Sequence, residues 1–223
     1  MTSPKISLNK LGEYLTASPA RRRRIVHDQK DPRPFITARY MDAREVIVDF
    51  LASGKTDDNK LVMRAKALRS DSSGTEFARQ DRIASADAIE SFLEVADQIE
   101  LADLEVVPLD NSTSAEMQIE GVSVSVRPDV LFKDAMTKDV VGAVKLHFPK
   151  STPLNENAAK YVSTTLRVYL TDELNSVTAD HRKCYVVDVS TQTVTCAPKS
   201  FKKNMSDVAA ACEEIRARWE LGA

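Results

Sequence analysis

Glycine is scarce in this chain. Six glycines in 223 residues leave little material for a loop that cradles phosphates. No GxxxxGK[ST], GxGxxG, GxSxG or HExxH occurs, so P-loop, dinucleotide-binding, serine-hydrolase and zincin chemistries have no motif to rest on. Cysteine is equally sparse. Cys184, Cys196 and Cys212 form no CxxC and sit near no histidine cluster; their apolar neighbours make buried free thiols the expectation. Of the three histidines, His27 and His181 read as surface residues. No apolar run approaches the ~18 residues that a membrane span needs, and MTSPKISLNK has no apolar signal core. The expectation is a cytoplasmic protein with no membrane partner. There are no internal repeats and no low-complexity tract.

The missing charges are more informative than the total. Residues 83–126 contain no Lys or Arg against ten Asp or Glu, whereas residues 19–45 hold eight Lys or Arg against four acids. The net charge is only −2, so no global field drives the protein onto nucleic acid. The two regions should present surfaces of opposite sign. The run Arg21-Arg22-Arg23-Arg24 reads as a solvated or ion-paired surface or as a phosphate-contacting element. The acidic region 83–126 reads as a solvated face or as a surface for a protein partner.

What is present is an ordinary globular composition, 43% hydrophobic and 29% charged. Ser7, and Ser18 followed by Pro19, give two helix starts. Residues 35–51, 57–68 and the stripe Ile83, Ala86, Ile89, Phe92, Ala96 and Ile99 follow helical spacing. Residues 104–107 begin the strands, with Pro108 as a stop, and residues 110–113 form a turn. Val122, Val124 and Val126 alternate with polar residues, which is the period of a half-buried strand. Val130-Leu131-Phe132 and residues 140–148 are two further apolar strands. Thr152-Pro153 starts a helix to about residue 170. Residues 183–189 and 194–198 are strands, and Ser206 caps a last helix. The pattern predicts an α/β (α+β) fold in one domain spanning 1–223. Residues 1–100 form a helical N-terminal annex, and 101–223 form a core with a central mixed β-sheet flanked by helices.

One pair of residues suggests chemistry. Asp129 follows Pro128 at the head of a strand, where an Asp can also simply cap or turn the chain. Lys145 lies inside the apolar run Val141-Gly142-Ala143-Val144-Lys145-Leu146, where a charge must snorkel, pair or serve a site. His147 shares its face and reads as a satisfied sheet histidine or as a supporting group for a site.

These residues carry a resemblance. Pro128-Asp129 opening one strand, Ala143-Val144-Lys145 in the next, and Asn157-Ala158-Ala159-Lys160-Tyr161 in the following helix resemble the PD-(D/E)XK nuclease-like superfamily, in particular its RecB-type exonuclease branch. The likeness covers roughly residues 117–189. It implies a restriction-endonuclease-like core and Mg²⁺- or Mn²⁺-dependent hydrolysis of DNA. A divalent cation polarises the phosphate and lowers the pKa of a bound water, and hard oxygen ligands hold it. Asp129 then matches the first metal-binding carboxylate, Val144 the backbone carbonyl ligand, and Lys145 the catalytic lysine. Asn157 and Tyr161 match the helix positions that face nucleic acid. The chain departs from the family at Ala143, where a second carboxylate belongs. Either a displaced acid replaces it, Glu156 at the start of the next helix or Glu45 in an N-terminal helix, or metal binding is lost. In the second case no cofactor is needed, and the fold binds nucleic acid or a protein partner in phage biology or DNA processing. An adaptor domain with an accidental likeness is the remaining alternative.

Overall fold

The computed structural model describes residues 3–31, 39–109 and 115–221. Two sheets organise it. Strand β1 (Lys5–Ser7) runs parallel to β4 (Val122–Ser125), which pairs antiparallel with β3 (Glu116–Ile119). The larger sheet has the order β2 (Leu104–Pro108), β5 (Val130–Asp134), β6 (Val140–His147), β7 (Cys184–Asp188) and β8 (Thr193–Cys196). Every neighbouring pair is antiparallel except β6 and β7, which are parallel. The connection between those two carries helix α6 (Glu156–Asp172), as a parallel crossover requires. The fold is therefore α+β, a mixed sheet flanked by helices.

The alternation in β4 buries Val122 and Val124 and leaves Ser123 and Ser125 half-exposed. The central strands β6 and β7 are buried on both faces, which is why they read as continuous apolar runs. Ala143 and Val186 point into one core, Val144, Leu146 and Val187 into the other. The first core is closed by α1 (Leu8–Thr16), α2 (Pro19–Lys30), α6, α7 (Lys202–Glu220) and the small sheet. The second is closed by α3 (Met41–Ala52), α4 (Asp58–Ser70) and α5 (Glu76–Leu93). The helices of residues 1–100 are thus divided between the two faces of the large sheet.

Several boundaries move from their sequence expectations, each for a local reason. Pro108 ends β2 as its last paired residue, opposite Val130; β2 is an edge strand, where the missing N–H is not needed. The α6 cap is Asn155, whose side chain accepts from Ala158 N–H at 2.9 Å, rather than Thr152. Ser206 lies inside α7, which already begins at Lys202. Helix α3 begins at Met41 because Tyr40 is left-handed, with φ of 62°. The positions 35–38 expected in that helix, and the turn at 110–113, lie outside the described residues. Ile83 is 48% exposed rather than buried, and Cys196 is exposed while Cys184 and Cys212 are buried.

Gly142 fixes the packing of β6. A Cβ there would lie 2.2 Å from the carbonyl oxygen of Lys183, so the strand can pass this close to the turn before β7 only without a side chain. One extra residue in β6 opposite Phe132/Lys133 makes a bulge just upstream and sets the register of Ala143, Val144 and Lys145.

Candidate functional site

Asp129 and Lys145 do meet, at the end of the large sheet where β5 starts. The backbone N–H of Asp129 donates to the Val144 carbonyl at 2.8 Å, which continues the β5–β6 ladder one residue beyond Val130. The side chain of Asp129 is almost fully buried. Its Oδ2 accepts the Leu146 N–H at 2.7 Å and lies 3.8 Å from the Lys145 Nζ. Its Oδ1 accepts a hydrogen bond from the guanidinium of Arg44, which reaches across from α3. Lys145 Nζ donates in turn to the Arg127 carbonyl at 2.5 Å. Arg127 takes a positive φ of 41° just before Pro128, which turns the chain into this corner.

The charge balance explains the electrostatics. Asp129 and Arg44 offset one another, so an ammonium at Lys145 is a surplus buried cation. Burial pushes the Lys145 pKa down to about 7, with Arg44 and Arg127 adding repulsion. Burial also lowers that of Arg44, which nonetheless stays charged. Next to Lys145 along β6, His147 shares a 2.8 Å hydrogen bond between its Nε2 and the Thr152 carbonyl. Burial is the main cause holding it below the usual imidazole range. A neutral ring with its proton on Nε2 fits those surroundings.

Arg44 is the residue that sequence reasoning missed. Its signal lies in the basic excess of residues 19–45, but it looked like any other surface arginine there. Its side chain is 34% exposed, and its guanidinium lies over the Phe148 ring at 5.3 Å. Phe148 is stacked in turn on Tyr40, with centroids 5.4 Å apart and planes 14° from parallel.

The other expected site residues lie elsewhere. Ala143 is fully buried in the α6-facing core. Glu156, the first residue of α6, has a side chain 79% exposed and pairs with Lys160 at 2.5 Å, which holds its carboxyl below the usual range. Glu45 is exposed on α3, beside Arg44 in sequence, and Asn157 is exposed on α6. Tyr161 donates its hydroxyl to Asp207 at 2.9 Å and so ties α6 to α7. Arg21 bonds Glu13. Arg22 bonds the Tyr14 and Leu15 carbonyls and Glu214. Arg24 lies 3.9 Å from Asp28, and Arg23 is exposed. The arginine run therefore divides between ties to neighbouring helices and open surface. On α5, Asp87 and Glu90 are bonded by Arg69, and Asp87 also by Lys150 at 3.0 Å, so part of the acidic face is locally neutralised.

A divalent cation needs several oxygen ligands converging on one point. Among the described residues no group of three or more His, Cys, Asp or Glu converges in that way. Asp129 brings one carboxylate to the corner, and a guanidinium already lies on its Oδ1. As arranged, these donors do not fit a bound Mg²⁺. What the corner offers is a fork of N–H donors with spare capacity, since Asp129 engages only part of the Arg44 guanidinium. No protein-family model matches the chain, and no curated protein matches it significantly.

Proposed function

We propose that this chain is a PD-(D/E)XK nuclease-like protein that binds the phosphate backbone of DNA at the Asp129–Lys145 corner without cleaving it. The observation that carries this reading is Arg44. Its guanidinium lies on Asp129 where the resemblance calls for a cation, and Ala143 supplies no second acid. Arg44 then provides fixed positive charge in place of a metal. With the exposed Arg127 it gives the corner an excess of fixed positive charge over the Asp129 carboxylate, while buried Lys145, its pKa pushed down to about 7, adds charge only in part. A phosphate oxygen can be held there by charge-assisted hydrogen bonds.

A second reading is Mg²⁺- or Mn²⁺-dependent hydrolysis in which Arg44 withdraws from Asp129 and Glu156 or Glu45 supplies the missing acid. The 3.8 Å approach of Lys145 to Asp129, and its pKa of about 7, favour that alternative. One experiment separates the two. Labelled single- and double-stranded DNA is incubated with the protein in EDTA, in Mg²⁺ and in Mn²⁺, with binding and cleavage read together. Salt-sensitive binding in EDTA, with no cleavage in either metal, is expected. Metal-dependent cleavage abolished by Asp129→Ala would replace the first reading with the second. No binding under any condition would defeat both.

A further inference from the structure

Tyr40 is held in an unusual way. It has a positive φ of 62°, a left-handed conformation that crowds the Cβ of any residue other than glycine. Its neighbours hold it there. Its N–H donates to Asp81 Oδ1 at 3.3 Å, and its carbonyl accepts the Arg44 N–H at 2.9 Å to begin α3. Its ring is stacked on Phe148, and the Arg44 guanidinium lies over that same Phe148 ring. Phe148 follows β6 directly, so this aromatic pair borders the Asp129 corner. Phe148 is 4% exposed, whereas Tyr40 remains partly exposed. Strained residues held by their surroundings concentrate at binding and catalytic sites.

We propose that Tyr40, backed by Phe148 and Arg44, is a stacking platform for a nucleobase of single-stranded nucleic acid. This inference rests on the phosphate-binding reading of the corner. An aromatic ring beside a guanidinium that has donors to spare is the combination single-strand sites use: the ring takes a base, the cation takes the adjoining phosphate. A duplex keeps its bases inside the stack and cannot offer one to Tyr40. The platform therefore makes the site prefer unpaired strands. Stacking is sequence-tolerant, so any base can occupy it.

The test uses the full chain and short oligonucleotides, DNA and RNA, single-stranded and duplex, with one 2-aminopurine in each single strand. Binding is read by anisotropy and stacking by quenching of the 2-aminopurine. The expected result is tighter binding of single strands than of duplex, with quenching. Tyr40→Ala should weaken single-strand binding roughly 5- to 150-fold and remove the quenching, while duplex binding stays within about twofold. Tyr40→Phe should restore both, which a role confined to capping α3 does not require. Thermal unfolding of each variant confirms the fold, and Tyr40→Trp serves as a second aromatic replacement. Unchanged single-strand affinity in Tyr40→Ala, or equal losses for single strands and duplex, would overturn the platform while leaving phosphate binding intact. Absence of all binding by the wild type would overturn the corner reading and the platform together. The DNA and RNA arms identify which strand is preferred.

Discussion

Replacing Arg44 with methionine isolates the charge balance at Asp129. Methionine keeps much of the aliphatic stem and removes the guanidinium fork. The Asp129 side chain, 1% exposed, then retains the Leu146 N–H at 2.7 Å and the Lys145 ammonium at 3.8 Å. Breaking a fully buried ion pair by removing one partner costs ~3–5 kcal/mol. Two features lower that figure here. The Arg44 side chain is 34% exposed, so solvent screens part of its charge, and Lys145 is near enough to compensate. A loss of about 2–3 kcal/mol is expected. The compensation leaves its own trace: without Arg44, Lys145 loses one of the cations that lower its pKa, which then rises above about 7. Urea unfolding of the wild type, Arg44→Met, Asp129→Asn and the double variant gives the coupling between the two residues. Directly interacting side chains couple by ~0.5–3 kcal/mol, and at least 1 kcal/mol is expected for this pair. If the two single effects add to within ~0.5 kcal/mol, Arg44 and Asp129 do not act as a pair and the reasoning fails.

Three further outcomes follow from the structure. Because the folded pKa of Lys145 is depressed from 10.5 to about 7, the unfolded chain binds more protons between those values. Stability should therefore climb as pH rises from about 7 toward 10. Urea midpoints compared with those of Lys145→Met, which should lack this component, check the sign; an identical pH profile would refute it. Gly142→Ala drives a methyl group against the Lys183 carbonyl and should cost ~1–3 kcal/mol, read from the same unfolding curves. Iodoacetamide should modify Cys196 in the native protein, whereas Cys184 and Cys212, both buried with thiols pushed up to about 12, should react only after unfolding. Mass spectrometry counts the adducts, and three native adducts would contradict the burial.

Much of the sheet was legible in the sequence because its signals are local. The valine alternation of β4, the unbroken apolar runs of β6 and β7 and the amphipathic α6 between them each follow from the immediate pattern. Other features depend on partners far along the chain. Strand β1 has three residues and no pattern of its own; it is a strand because Lys5, Ile6 and Ser7 pair with Ser123, Val124 and Ser125. Alternation marked β4 as a strand but carried no information about which sheet it joins. The start of α3 depends on a tyrosine in a conformation that sequence rules reserve for glycine or asparagine. The candidate site divides in the same way. Lys145 was found because a charge inside an apolar strand is anomalous, and Asp129 because Pro128-Asp129 ahead of that strand completes the motif with it. Arg44 was not, because one arginine among eight basic residues is unremarkable until its partner, 85 positions away, is known.

The proposed phosphate site at the Asp129 corner depends on the fixed positive charge of Arg44. The most direct measurement is the salt dependence of single-stranded DNA binding in EDTA, for the wild type and for Arg44→Met under conditions where both are folded. Each phosphate contact to a single strand contributes about 0.7 to the slope of log K against log salt. The wild type should bind without metal with a clearly negative slope, and Arg44→Met should lose affinity and about one contact from that slope. Binding that is absent in EDTA, insensitive to salt, or the same in Arg44→Met would contradict it.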